Sequence, residues 1–484
     1  MAFPSNNNMN KTATIERVWA IFGELNKIPR PSHHEEKVAD YLCKFAMENG
    51  LDYSRDANNC VVIRKPATHG CEDWEPLVLL NHMDMVCVHD SNYEFNALED
   101  PIVSEIHNGW MQAKGTSLGA DNGIGLSIAL ALISDNSLRH GPLEVLTTTN
   151  EEDGMSGAAN LRTDFIKGRK VINLDSEDYD TITVGAAGAY MQQAEWHFKL
   201  EEPDNSKKHL KLLLEGGKGG HSGVDIDKGR GNAIVILAKL LAQLKTTYTD
   251  LQIGELQGGS SAAAIAGNAS ANISADLLDK DLITELGKTL IYPYTETDHQ
   301  LTISVSEAPK RPLLSTEDSQ RLIAAITSLP NGVIAMRDDM PGTVQTSNNI
   351  GLLKQTEGQV VLTTHTRSFC DKTMEEIGGK IATALKESGA TVSLAANSPA
   401  WQENSESDFI KRVSDTFEEV LGFTPRKVAM HFVLEAGYYV RKYPGIEIAC
   451  IGPRIVSPHS TSERVEMQTV EDLLKVTEHL ISTQ

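Results

Sequence analysis

The sequence predicts an α/β fold interrupted by an inserted α+β domain, and three observations carry that reading. Residues 1–187 alternate helical and strand patterns, residues 188–398 lose strict alternation, and residues 399–484 resume it. Strands alternating with helices build a layered sheet whose functional groups collect at the strand ends. At 484 residues the chain has material for two or three domains with ample cores.

The outer domain opens with helical periodicity over 15–22 and 35–49, the second preceded by the turn-prone Pro-Arg-Pro-Ser at 29–32. Apolar strands follow at 60–64 and 77–82. An apolar helix over 119–134 opens with Gly-Ala-Asp-Asn-Gly, and strands return at 143–149 and 170–174. In the insertion, strand-like 191–200 and 209–214 lead into a helix over 231–245. Strands at 270–277 and 300–305 precede a helix at 319–328, and 333–337, 342–349 and 359–364 read as strands before a helix at 373–388. The last segment supplies a helix over 405–420, a strand at 446–451 and a helix over 470–481.

Hydrophobic residues make up 40% of the chain and charged residues 23%, ordinary for a soluble globular protein. The formal net charge of −22 argues against nucleic acid or an anionic membrane as partner. Cys43, Cys60, Cys71, Cys87, Cys370 and Cys450 fall in no Cys-x-x-Cys spacing and read as free thiols of a reducing compartment. The stretch 1–19 lacks the charged-then-apolar signature of a secretory signal, and no run of about 18 apolar residues could span a membrane. A cytoplasmic location is the expectation.

The chemistry gathers around PLVLLNHMDMV at 76–86, an apolar strand ending in a His-x-Asp pair. Residues two apart on a strand share a face, so His82 and Asp84 point the same way. The imidazole of His82 can take a divalent metal, and Asp84 can hold it in the metal-binding tautomer. A lone strand-end histidine is more often structural. Asp121 stands at the start of an apolar helix, where a simple cap is the plainer explanation. Glu151 and Glu152 follow the strand EVLTTT, and Asp175 is the first charge after another apolar run. His459 follows the last strand. Acidic or imidazole groups thus follow consecutive strands that sheet topology would collect on one edge. Two His plus three carboxylates suit Zn2+ or a similar first-row ion. With one carboxylate shared, five ligands serve two metals and leave positions for water, while the spare glutamate is free for proton transfer.

HMDMV, GTSLGADNGIG, TNEEDGMSGA, INLDSE, KGGHSG and PHS, in this order, resemble the M20 metallopeptidases, and most of all their aminoacyl-histidine dipeptidases. The resemblance implies a zinc-peptidase-like catalytic domain, its mixed sheet flanked by helices, with a lid domain inserted at 188–398. It implies two Zn2+ ions, with Co2+ or Mn2+ as substitutes. His82 and Asp175 would hold one, Glu152 and His459 the other, and Asp121 would bridge them across a cis bond to Asn122. Glu151 would be the general base and Asp84 would orient His82. In the insertion, His221 would stabilise the oxyanion and Arg367 would grip the substrate carboxylate. Glu435 would lie near the substrate's amino end, and Asn349 also falls on a substrate-binding motif. The glycine-rich run around His221 lacks the spacing of a phosphate loop.

The chain departs from that family in the loop GGSSAAAIAGN at 258–268, where Ala263 replaces an asparagine and Ala266-Gly267 replace Pro-Arg. Phe432-Val433 replace Ala-Gly, and Ser457 replaces a glycine. The proposed metal and base positions all remain. The expected activity is therefore a dinuclear zinc dipeptidase acting on short unblocked peptides, Xaa-His dipeptides among them. Its rivals are an M20-type hydrolase of another amide, such as an N-acyl amino acid, and a metal-binding paralogue without catalysis. A lid-to-lid homodimer is one assembly the resemblance implies; an insertion that completes the site within one chain is the other.

Overall fold

The computed structural model describes residues 13–402 and 405–483. Residues 1–12 of the stretch read above for a secretory signal lie outside the described residues. The chain divides into two units. One takes the described residues of 1–185, 403–429 and 435–484, the other 186–402 and 430–434. The sequence pattern assigns 430–434 to the final segment, 399–484. This short stretch sits instead with the inner unit, where Ala187 N donates to Met430 O at 2.9 Å and Ser347 Oγ meets His431 Nε2 at 2.8 Å.

In the first unit the apolar runs dictate the centre of the sheet. Leu143–Thr148, Leu77–His82, Lys170–Asn173 and Glu447–Cys450 lie side by side and parallel. Strands buried on both faces read as unbroken apolar runs, which is why LVLL shows no alternation. Every residue of Leu77–His82 and Leu143–Thr148 is buried. Asp52–Arg55 and Val61–Lys65 add antiparallel strands on one side, and Thr181–Ala186 and Arg426–Met430 complete the eight-stranded mixed sheet on the other. Because the four central strands run the same way, their carboxyl ends share one edge.

The helix Ala120–Ser134 is apolar all round, the signature of a helix enclosed on every side. Each of its residues is buried except Asp121. It packs on Leu77–His82 and Leu143–Thr148 and against the helices Ile15–Leu25 and Met467–Ser482. Truncating Ile128 or Leu130 to Ala would cost about 2–5 kcal/mol. That rigid seat fixes where its first turn, and so Asp121, stands.

The second unit is built on a nine-stranded sheet whose pairings are all antiparallel. The helices Ala233–Thr247, Lys280–Ile291, Thr316–Ser328 and Asp371–Glu387 share its apolar core. The strand expected over 342–349 runs on as Val344–Thr356, because a bulge between Ile350 and Leu352 breaks the alternation that marks a strand. The six cysteines are unpaired. No helix among the described residues is long and apolar enough to cross a membrane.

Candidate metal centre

His82 closes its strand and is buried. Two residues on, the buried Asp84 turns back toward it: Asp84 Oδ1 lies 3.4 Å from His82 Nδ1. The same carboxylate accepts from Glu151 N at 3.1 Å, Glu152 N at 3.2 Å and Ser32 Oγ at 2.8 Å. One side chain therefore aims the imidazole and pins the turn that carries both glutamates. The neighbouring Glu35 accepts from Asn150 N at 2.9 Å and secures that turn from its other end.

Asp121 arrives through a tight turn. Gly119 sits at φ +67°, and a Cβ there would fall 2.5 Å from Arg30 Nη2 and 2.6 Å from Met85 Sδ, so glycine is required on both counts. Asp121 and Asn122 depart from helical backbone angles, and the peptide bond between them is cis. Asp121 is not a helix cap; the capping position belongs to Gly119. Asn122 Nδ2 donates to Leu174 O at 2.5 Å, tying this turn to the segment that leads into Asp175.

The two carboxylate oxygens of Asp121 face different imidazoles. Oδ1 lies 3.1 Å from His82 Nε2, which is also 3.1 Å from Asp175 Oδ1. Oδ2 lies 3.2 Å from His459 Nε2, which is 2.9 Å from Glu152 Oε2. One donor atom each from His82, Asp121 and Glu152 fall within 4.8 Å of one another. Ligands about 2.0–2.2 Å from a tetrahedral zinc are separated by about 3.3 Å, so these spacings are those of a coordination shell. Glu152 Oε1 and Asp175 Oδ1 are buried without a hydrogen-bond partner among the described residues. Three converging carboxylates, two of them with an orphaned oxygen, fit divalent cations, which would neutralise them.

The electrostatics match that crowding. Burial works against a charged His82, yet Asp175, Asp121 and Asp84 outweigh it and hold its pKa well above the ordinary value. Hydrogen bonds to Asp121 and Glu152 push His459 up to about 11. Burial also opposes ionisation of Asp121, but its bonds to His459 and His82 win and lower its pKa. Asp175 goes the other way, up to about 7, through burial and the charges of Asp121 and Glu152. Burial and the charge of Asp175, followed by Glu435 and Glu152, drive Glu151 well above the usual carboxylate range.

Glu435 belongs to the same unit. Its Oε2 accepts from Thr148 Oγ1 at 2.9 Å and Tyr439 Oη at 3.1 Å, while its buried Oε1 has no partner among the described residues. Burial, then Asp175, raises it to about 8.

His221, Arg367 and Asn349 lie in the second unit. His221 Nδ1 accepts from the amides of Gly223 at 3.2 Å and Val224 at 3.1 Å, which places its proton on Nε2. Burial and the Arg367 charge lower it to about 4, so the ring is neutral at pH 7. Phe432 packs edge-on against it, ring centres 6.2 Å apart. Arg367 is buried and meets Ser222 Oγ at 3.3–3.4 Å. Asn349, expected at the substrate, directs its amide protons to Ala262 O at 3.2 Å and Ala264 O at 2.8 Å. Asn232 Nδ2 lies 3.3 Å from its Oδ1, so the structure uses Asn349 to brace the loop at 258–268.

Sequence reasoning did not single out Arg30, Ser32, Glu35 or Glu463 as parts of this frame. Arg30 and Ser32 fall in the stretch 29–32, read only as a turn, and Glu35 was read only as the start of a helix. Glu463 carries one faint signal, its place four residues after His459.

The family description "Peptidase family M20/M25/M40" matches residues 78–483. The chain belongs to this family. As a member of peptidase family M20/M25/M40 it is a hydrolase of peptide bonds. The chain is 35% identical to the cytosol non-specific dipeptidase of Escherichia coli (strain K12) over 458 residues, 94% of each protein. The structure of aminoacylhistidine dipeptidase from Vibrio alginolyticus superimposes with a TM-score of 0.87 at 33% identity, covering 96% of both chains. Aminopeptidase PepT from Bacillus cereus ATCC 10987 shares the fold, with a TM-score of 0.56 at 17% identity over 97% of this chain and 98% of that one.

Proposed function

We propose that this chain is a dipeptidase with two divalent cations, Zn2+ foremost, acting on short unblocked peptides that include Xaa-His dipeptides. One observation carries the reading: the two oxygens of Asp121 face His82 and His459 separately, and each imidazole has a second carboxylate of its own. That gives two three-ligand sets sharing Asp121, His82 with Asp175 and His459 with Glu152. The dipeptidase names of the Escherichia coli and Vibrio alginolyticus relatives support the substrate class.

Cations held there would supply Lewis-acid polarisation of the scissile carbonyl and acidify the attacking water. Glu151 stands beside these ligands, close enough to feel the charges of Asp175, His82 and Glu152, and among the described residues its carboxylate takes no part in their short contacts. Its carboxylate takes a proton as the water oxygen bonds to the carbonyl carbon, then delivers it to the amide nitrogen as the C–N bond breaks. Burial and the charge of Asp175 raise this carboxyl above its ordinary pKa, which makes it a better proton acceptor than an exposed glutamate. Asp84 keeps His82 Nδ1 as the protonated nitrogen, leaving Nε2 as the donor atom. Arg367, buried and hydrogen-bonded to Ser222, is suited to a carboxylate, and His221 offers an Nε2 proton.

The test is hydrolysis by zinc-loaded protein of a carnosine-like dipeptide and an N-acetyl amino acid, before and after chelation. Zinc-dependent cleavage of the dipeptide is expected. Preference for the N-acetyl substrate, or zinc uptake with neither cleaved, would overturn the dipeptidase reading.

A further inference from the structure

We propose that Glu463 is a positioning residue for the metal centre, setting where the Asp121 carboxylate stands between His82 and His459. The inference rests on the metal reading of that centre. Glu463 is 2% exposed and comes from a loop more than 340 positions away in the chain. Its Oε2 accepts from Leu118 N at 2.7 Å and Gly119 N at 3.0 Å, and its Oε1 from Ala120 N at 2.8 Å and Asp121 N at 3.4 Å. Four consecutive amides converge on one carboxylate. These are among the donors a helix start leaves without partners inside the helix, and an anion there is favoured by the helix dipole.

A cap would need fewer bonds than this. The fourth amide belongs to Asp121 itself, so the grip ends on the ligand whose two oxygens must reach both imidazoles. The same loop also carries His459, which meets Asp121 Oδ2. Two residues of one loop therefore hold Asp121 twice, His459 by its side chain and Glu463 by its main chain. The loop is tied to itself by Glu463 N donating to Ser460 O at 3.1 Å and Ser460 Oγ to Ser457 O at 2.7 Å. Arg30 closes the frame from the other side: Nη2 donates to Gly119 O at 2.6 Å, and Nη1 to Met83 O at 3.3 Å and Asp84 O at 3.2 Å. The Asp121 turn and the His82–Asp84 turn are thereby held in one register.

Glu463→Gln discriminates, because a carboxamide has one acceptor oxygen. Its NH2 must confront one pair of amides, so two of the four bonds are lost with little change of volume. The readouts are zinc retention against a chromogenic chelator and the visible spectrum of the Co2+-loaded protein, with far-UV circular dichroism to establish folding. Retention at least tenfold weaker and shifted Co2+ bands are expected for folded Glu463→Gln, with Glu463→Asp between it and wild type. Wild-type retention and an unchanged Co2+ spectrum in folded Glu463→Gln would overturn the inference while leaving the metal reading intact. A wild-type protein that takes up no metal would sink the metal reading first. Should neither variant fold, hydrogen–deuterium exchange on metal-free wild type decides. Slow exchange at 118–121 is expected before metal is added, and exchange there at open-loop rates would refute the clamp.

Discussion

Asp84→Asn offers the sharpest reading of how the centre is held. The carboxylate of Asp84 accepts three hydrogen bonds and faces one imidazole: Oδ1 takes Glu151 N and lies 3.4 Å from His82 Nδ1, while Oδ2 takes Ser32 Oγ and Glu152 N. Asparagine keeps the shape but turns one oxygen into a donor. With the NH2 toward Oδ2's place, the Glu152 amide is buried without an acceptor, at about 1–3 kcal/mol. With the NH2 toward Oδ1's place, His82 must accept at Nδ1 and carry its proton on Nε2, the atom that faces Asp121 and Asp175. A protonated Nε2 cannot bind metal. Either placement predicts zinc affinity lower by about 10–100-fold, the usual cost of losing a ligand's hydrogen-bond partner, equivalent to about 1.4–2.7 kcal/mol. Competition with a chromogenic chelator measures it. Zinc affinity within threefold of wild type would refute the claim that Asp84 sets the tautomer and the turn.

Four further outcomes follow from the same geometry. Glu151→Gln should keep the zinc content of wild type while kcat falls by about 10²–10⁴-fold; parallel loss of metal and activity, by metal analysis and steady-state kinetics, would count against its role as base. In the metal-free protein His82 and His459 are held charged well above neutrality. Zinc uptake at pH 7 must therefore displace protons, at least one from each imidazole, and affinity should rise with pH; a pH-stat titration showing no release would contradict this. Metal-free stability has the matching sign: the share from His459 is complete below about pH 6.5 and is lost as pH climbs toward 11. Gly119→Ala forces a Cβ onto Arg30 Nη2 and Met85 Sδ at a left-handed φ, so urea unfolding should show at least 1–3 kcal/mol of destabilisation.

Much of the centre was legible because the chemistry follows from strand order. His82 and Asp175 come at or just after unbroken apolar runs and Glu152 just after a buried strand, and parallel strands must bring such ends to one edge. Asp121 was legible as a position but not as a conformation: its sequence suggests a helix cap, while the structure turns the chain at Gly119 first. Glu463 was scarcely legible. A glutamate beside an arginine in a surface-like stretch reads as solvated, and its partners are backbone amides, which no side-chain pattern betrays. Asp52–Arg55 and Arg426–Met430 escaped for a related reason. They flank the sheet, have no fully buried residue and so show no apolar periodicity. Residues 430–434 likewise begin at the last residue of the strand Arg426–Met430 yet pack with the other unit, a choice made by His431 and Ser347 rather than by local pattern.

Anomalous scattering at the zinc edge from crystals of zinc-loaded protein addresses the dinuclear centre most directly. Two peaks are predicted, one among His82, Asp121 and Asp175, the other among Asp121, Glu152 and His459. No peak, or a single peak that leaves Asp121 uncoordinated, would contradict it.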